Sequence, residues 1–272
     1  MLPVLLKHFP DTINCYIEPF VGGGAVFLHL LEKPNRKAFS IEKYHINDAN
    51  QELITAYKVV ERGFKRLLSH LKGFENDKEF FYEVRSWDRK TSFKSLSDEE
   101  KTARFLYLNK TCFNGLYRVN RKGFFNTPFG HYKNPNFINE VVLEHVSQAL
   151  NEAQVYYSNK SFYGHLMAYL SNHHRNNNCF VYLDPPYHSE DATSSFTSYT
   201  SQGFGIEQQI KLRQACDALN AAGIKFLLSS SATAFIRSLY QNYKIIEVEA
   251  PRSIAASPKS RGKAKELIIK NY

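Results

Sequence analysis

Cysteine is scarce and scattered. Cys15, Cys112, Cys179 and Cys216 are the only four in 272 residues. No two form a CxxC pair, which argues against a zinc ribbon or a thioredoxin-like redox site. Reduced, buried thiols in a cytoplasmic protein are the expectation. No apolar run approaches the roughly 18 residues of a membrane span, so no membrane partner is expected. Met1-Leu-Pro-Val-Leu-Leu is too short for a signal peptide, lacks a cleavage pattern, and reads as a piece of amphipathic helix. Internal repeats are absent. So are the GxGxxG spacing of a dinucleotide fold and the Gly-Lys-Ser/Thr ending of a P-loop. His173 and His174 have no partner at a ligand spacing, so no metal site is expected. Acidic residues are outnumbered: 26 Asp and Glu against 35 Lys and Arg give a formal charge of +9. That excess suits a polyanion, nucleic acid first, although a solvated basic surface would carry the same charge.

What is present centres on Val181-Tyr-Leu-Asp184-Pro185-Pro186-Tyr187. Val, Tyr and Leu suit a buried strand. Two prolines then fix φ and withhold backbone donors, so the ladder stops at a rigid corner. The carboxyl end of a strand in an open α/β sheet is where ligands bind. This corner offers a carboxylate, two carbonyls and an aromatic face. Adenine's exocyclic amine is a poor nucleophile because its lone pair is delocalised into the ring. Asp184 and the Pro185 carbonyl are placed to accept its hydrogens and favour a more tetrahedral nitrogen, with Tyr187 stacked on the base. A strand-ending turn with a surface tyrosine is the plainer alternative.

Cys15 to Leu30 reads strand, glycine turn, helix. Gly22, Gly23 and Gly24 allow close backbone approach to an uncharged or zwitterionic ligand at a helix start. Ala38-Phe-Ser-Ile41 reads as the next strand, leading to Asp48 and Asn50 before a helix from Gln51. Either residue suits the cap; Asp48 also suits ribose hydroxyls. Residues 60 to about 145 break the βα rhythm. Glu61–Leu71, Lys78–Trp87 and Asp98–Leu108 read as helices, the last capped by Ser97. A hairpin or irregular loop dense in aromatic, Asn and basic residues follows, with turn signals at Asn114-Gly115 and Lys122-Gly123. Arg118 and Arg121 suit guanine edges or phosphates, and Phe113 and Tyr117 suit bases. The same aromatics also suit the interior; Phe124, Phe125 and Phe129 are expected inside and the Asn114–Arg118 tip outside. Helix Val141–Leu150, strand Gln154–Tyr157, Ser161-Phe162 near an adenosine site, and helix Gly164–Leu170 come next. Residues 188 to 205 suit a flap over the corner or an inert loop. Helix Ile206–Ala222 ending at Gly223, strand Lys225–Ser229, helix Thr233–Tyr240, strand Tyr243–Glu249, a basic loop from Pro251 to Lys265 and strand Glu266–Lys270 complete the chain. The pattern is α/β with a largely helical insertion.

Pro19-Phe-Val-Gly-Gly-Gly, Asp48-Ala-Asn, Asn114-Gly-Leu-Tyr-Arg, Phe125-Asn-Thr-Pro-Phe-Gly-His-Tyr-Lys, Asp184-Pro-Pro-Tyr and Arg252-Ser-Ile occur in that order. Together they resemble Dam-type DNA adenine methyltransferases from about residue 2 to the C-terminus. The resemblance implies a Rossmann-like S-adenosylmethionine-dependent methyltransferase domain (1–58 and 146–272) interrupted by a mostly helical target-recognition domain (59–145). It implies methyl transfer from S-adenosylmethionine to adenine N6 in double-stranded DNA by base flipping, at GATC, by a cytoplasmic monomer. Asp184, Pro185, Pro186 and Tyr187 are then catalytic. Glu18, Pro19, Phe20, Gly22, Gly23, Gly24, Asp48, Ser161, Phe162 and Asp184 border the cofactor. Lys110, Phe113, Asn114, Gly115, Leu116, Tyr117, Arg118, Asn126, Pro128, Lys133, Arg252, Lys259 and Arg261 face DNA.

The sequence departs from that pattern twice. The family opens with a Lys-Trp-Ala/Val-Gly-Gly-Lys segment, whereas Met1 here aligns just after it. A catalytically weak DNA-binding homologue lacking this cofactor segment is therefore the alternative expectation. Where the family often has Ser-Asn after the strand following the corner, this chain has Ser229-Ser230-Ser231, so local hydrogen bonding must differ. An RNA or protein methyltransferase fits less well, since those carry Asn-Pro-Pro-Tyr and need no long basic insertion.

Overall fold

The computed structural model describes residues 1–172, 178–188, 204–251 and 263–272. In chain order the helices are α1 (Leu2–Leu6), α2 (Ala25–Leu31), α3 (Lys33–Phe39), α4 (Gln51–Lys72), α5 (Lys78–Ser86), α6 (Asp98–Thr111), α7 (Glu140–Asn151), α8 (Phe162–Asn172), α9 (Ile206–Ala221) and α10 (Ala234–Leu239). The strands are β1 (Cys15–Glu18), β2 (Lys43–Asn47), β3 (Gln154–Ser158), β4 (Cys179–Leu183), β5 (Lys225–Ser231), β6 (Lys244–Pro251) and β7 (Lys263–Lys270). Two compact units result. One comprises Met1–Ala49 and the described residues from Ala153 onward, the other Asn50–Glu152. Helix α4 runs through residues 58 and 59, and α7 through 145 and 146, so the units part at the ends of these helices rather than within them.

The first unit holds one seven-stranded sheet in the order β3-β2-β1-β4-β5-β7-β6. Strands β1 to β5 pair in parallel, and β7 runs antiparallel to both β5 and β6. All residues of the central strands β1 and β4 are buried. That is the pattern of a parallel sheet covered on both faces. From β1 the chain builds outward through β2 to β3, and β4 then starts the other half. The order therefore reverses between β1 and β4. The crevice at their carboxyl ends is the position that such sheets offer to ligands.

The strand expected at Ala38–Ile41 is replaced by the end of α3 and a turn. Pro34 suits the first turn of a helix. Ser40 then closes it in the left-handed region, φ 59°, with its N–H on the carbonyls of Arg36 and Lys37. The strand lies further on, where Tyr44 and Ile46 point inward. The expected separate helix Glu61–Leu71 is the second half of α4, which bends at Gly63 (φ −141°). The other expected elements form within a few residues of their predicted limits, and Ser97 caps α6 as expected, in a capping box completed by Glu100.

The second unit is organised around Arg104 of α6, 1% exposed. Its guanidinium contacts Asp88 at 2.6 Å and Glu52 of α4 at 3.3 Å. It also donates to the carbonyls of Val84 and Arg85, both at 3.1 Å. Such a buried cation is tolerated only when paired and fully hydrogen-bonded. Burial raises the Glu52 carboxyl above its ordinary value, against the pull of Arg104 and of the Tyr117 hydroxyl.

Candidate active site

The Pro-Pro corner leaves the end of β4 and is fixed from several elements. Ser229 of β5 lies 2.8 Å from Asp184 Oδ1 and 3.1 Å from the Tyr182 hydroxyl. With one hydroxyl proton, Ser229 donates to the carboxylate and accepts from Tyr182. Buried Gln209 of α9 donates its Nε2 to the Pro186 carbonyl at 3.2 Å. Ser231 donates to the His188 carbonyl at 2.7 Å, and Thr233 meets His188 Nδ1 at 3.2 Å. The Tyr187 hydroxyl donates to Glu266 of β7 at 3.1 Å. The corner is thus a preorganised acceptor rather than a loose turn.

Enclosure by protein pushes the Asp184 carboxyl up to about 6. Nearby Glu266 adds to the rise, while the hydrogen bond donated by Ser229 opposes it. Asp184 nevertheless keeps exposed surface. Water therefore moderates the shift, and a ligand that expelled it would strengthen the effect. Two further acids complete the recess. Glu18, at the end of β1 and 2% exposed, accepts from the Tyr16 hydroxyl at 2.8 Å. It also accepts from the Phe27 backbone, and burial with the charges of Asp184 and Asp48 holds its carboxyl well above the ordinary range.

The glycine turn follows Glu18, buried Pro19 and Phe20. Gly22 and Gly24 adopt φ of 48° and 71°, which only glycine takes freely. A Cβ built on Gly22 or Gly23 would meet nothing within 4 Å, so the turn borders open space. The Gly22 N–H donates to Asp48 Oδ2 at 3.1 Å. Asn50, not Asp48, caps α4, its side chain accepting from the N–H groups of Glu52 and Leu53. Helix capping therefore does not explain Asp48.

Asn47, missed from sequence, locks these strand ends together. Its fully buried amide donates to the carbonyls of Pro19 and Lys160, both at 3.0 Å. Its oxygen accepts from Ser158 Oγ at 2.5 Å and the Lys160 N–H at 2.9 Å. Every donor and acceptor of the amide is used. The only signal was a short amide ending the strand Lys43-Tyr-His-Ile-Asn47. Beside them, Phe20 and Phe162 lie 5.1 Å apart, and Phe204 lies 5.8 and 5.6 Å from each. Phe204 was also missed. Ser161 is exposed, and its Oγ accepts the Gly164 N–H at 3.1 Å, starting α8.

In the second unit, residues 112–130 form an irregular hairpin with bridges Cys112–Phe129 and Val119–Phe125. Asn114 and Gly115 sit at φ 55° and 61°, the left-handed pair expected of an Asn-Gly turn. Phe125 is buried and Phe113 is 51% exposed, with Asn114, Gly115 and Leu116 also exposed. Phe124 and Phe129 are half-buried. Tyr117 faces its own unit: its ring packs against Phe105 and Phe125, and its hydroxyl donates to Glu52 at 3.1 Å. Arg118 Nε donates to Asn126 Oδ1 at 2.9 Å, so these two share one cluster. Lys110, Pro128 and Lys133 are exposed. The hairpin backbone is held by three residues that sequence reading missed. Arg85 donates to the Thr127 carbonyl at 3.1 Å, Arg89 to that of Phe125 at 2.8 Å, and Asp88 accepts from the Phe125 N–H at 2.8 Å. Arg252, Lys259, Arg261, His173, His174 and residues 189–203 of the expected flap lie outside the described residues.

The sequence that builds this site matches known proteins. The family model for D12 class N6 adenine-specific DNA methyltransferases matches residues 1–254. The chain is 38% identical to the type II methyltransferase M.MjaIII of Methanocaldococcus jannaschii, over all of this chain and 92% of that protein. It is 36% identical to the type II methyltransferase M1.LlaDCHI of Lactococcus lactis subsp. cremoris, over all of this chain and 91% of that protein. It is 32% identical to the DNA adenine methylase of Escherichia coli (strain K12), over 98% of this chain and 90% of that protein. With the match spanning nearly the whole sequence and the fold and corner in place, this chain belongs to the D12 class N6 adenine-specific DNA methyltransferase family.

Proposed function

We propose that this enzyme methylates adenine N6 at GATC in duplex DNA, acting on a base rotated out of the helix. The observation that carries the reading is the Asp184-Pro-Pro-Tyr187 corner at the sheet's reversal point, its acid fixed by Ser229 2.8 Å away. S-adenosylmethionine fits the residues present. Open space beside Gly22 and Gly23 admits its backbone-hugging portion. Asp48 suits the ribose hydroxyls, Phe20, Phe162 and Phe204 suit the adenine ring, and the acidic recess suits a cation. When bound, that group supplies an electrophilic methyl on a sulfonium.

The chain's own residues do the rest. Tyr187 stacks on the extruded base. Asp184 and the Pro185 carbonyl accept the amine's two hydrogens, which pyramidalises nitrogen and frees its lone pair. Asp184 then takes the proton that the methylated nitrogen sheds. The first unit thus performs the chemistry and the second reads DNA, with Phe113 and Leu116 at the exposed hairpin tip and Lys110 and Lys133 meeting phosphates. Incubating unmethylated plasmid with enzyme and donor tests this directly. GATC sites should become resistant to a nuclease that cuts only unmethylated GATC. Asp184→Ala should leave them sensitive while still retarding the DNA on a gel. Protection at another sequence would refute GATC; full protection by the variant would refute the role of Asp184.

A further inference from the structure

Glu266 lies on β7, in register with Ser231 of β5, and so reaches the corner from the antiparallel side of the sheet. Its Oε2 accepts the Tyr187 hydroxyl at 3.1 Å. Tyr187 has only two side-chain torsions, so tethering the hydroxyl defines its ring plane. The same carboxylate places a negative charge beside Asp184. We propose that Glu266 is a positioning residue of the methyl-transfer site, setting the plane on which the target base stacks and strengthening Asp184 as an acceptor. This rests on the adenine reading of the corner.

The charge effect has a defined direction. Asp184 is faced by Glu18 from β1, Tyr182 from β4, Ser229 from β5, Glu266 from β7 and Tyr187 from the corner itself. Ser229 donates to it, while the Tyr182 and Tyr187 hydroxyls give their protons to Ser229 and Glu266; an ionised carboxylate at Glu18 or Glu266 repels its charge. Burial pushes the Glu18 carboxyl well above the ordinary carboxylate range, which favours its neutral form. Glu266 is left as the charge that makes Asp184 harder to ionise and, once ionised, a more avid acceptor. A bare hydrogen-bond anchor for Tyr187 would need only an oxygen, and glutamine would serve as well.

Three variants separate the two roles. Glu266→Gln keeps an acceptor but removes the charge, so the acid limb of the kcat profile should move to lower pH by about half a unit or more. Glu266→Ala and Tyr187→Phe each break the tether, and each should lower kcat about tenfold while leaving the donor KM within about twofold. Their double variant should be no slower than the slower single one, because both remove the same bond. Thermal melts confirm folding, and should Glu266→Ala not fold, Glu266→Gln and Tyr187→Phe still decide. An unmoved acid limb in Glu266→Gln, or losses that multiply in the double variant, would overturn the proposal. Wild-type enzyme that methylates no adenine would instead overturn the reading of the site. In that case carboxylate carbon-13 titration of Asp184, in free wild type and Glu266→Gln, still tests Glu266: an unchanged midpoint sinks it.

Discussion

In the proposed mechanism Asp184 answers two opposed demands. Catalysis wants an ionised acceptor where water can be expelled; folding resists a charge placed there. Its carboxyl is raised from 3.8 to about 6, so folding takes up a proton between those values. Stability contributed by the protonated form is therefore lost as pH rises through that window. Asp184→Asn should flatten the dependence of Tm on pH between about 4 and 6 and raise Tm at pH 7.5, while methylation falls at least about 100-fold. A melt of the variant that tracks wild type across this range would contradict the assignment. Asn47 makes the complementary case. Asn47→Leu strands the carbonyls of Pro19 and Lys160 and the Lys160 N–H. Urea unfolding should show a loss of about 2–4 kcal/mol.

Among elements, those built from local signals were legible in the sequence. Alternating or continuous apolar runs gave β1, β4 and β5. The Ser97 cap gave the start of α6, and Asn114-Gly115 gave the hairpin tip. The misread segment, Ala38–Ile41, shows the limit: its apolar residues suit a strand, but Pro34 and the left-handed Ser40 bracket a helix. The supports were not legible at all. Ser229 reaches Asp184 across 45 residues, Asn47 reaches Lys160 across 113, and Arg104 joins Glu52 across 52. No local pattern marks a polar side chain whose partner is set by topology. Arg104→Met tests one such support. It leaves Glu52 without its cation and Asp88 with Arg89 alone, and should destabilise the second unit by about 3–5 kcal/mol. Hydrogen exchange should quicken at Phe125, whose N–H is held by Asp88, and at Asn126, whose N–H closes the hairpin on the Arg118 carbonyl. Unchanged protection there would show that the hairpin does not depend on the ion pair.

For the molecule as a whole, a formal charge of +9 makes DNA affinity an electrostatic quantity. The logarithm of the binding constant should fall linearly with that of salt concentration. Lys133→Ala should reduce the slope by about 1 and weaken all sequences alike. A variant that instead changed sequence preference would reassign Lys133 to base reading. The central claim is that the proline-stiffened corner delivers a methyl group to adenine's exocyclic amine. The most direct measurement digests DNA treated with isotopically methyl-labelled donor to nucleosides and weighs the product. N6-methyl-2′-deoxyadenosine should carry the label with wild type and be absent with Asp184→Ala. Label on cytosine, or equal label on adenine with both proteins, would contradict it.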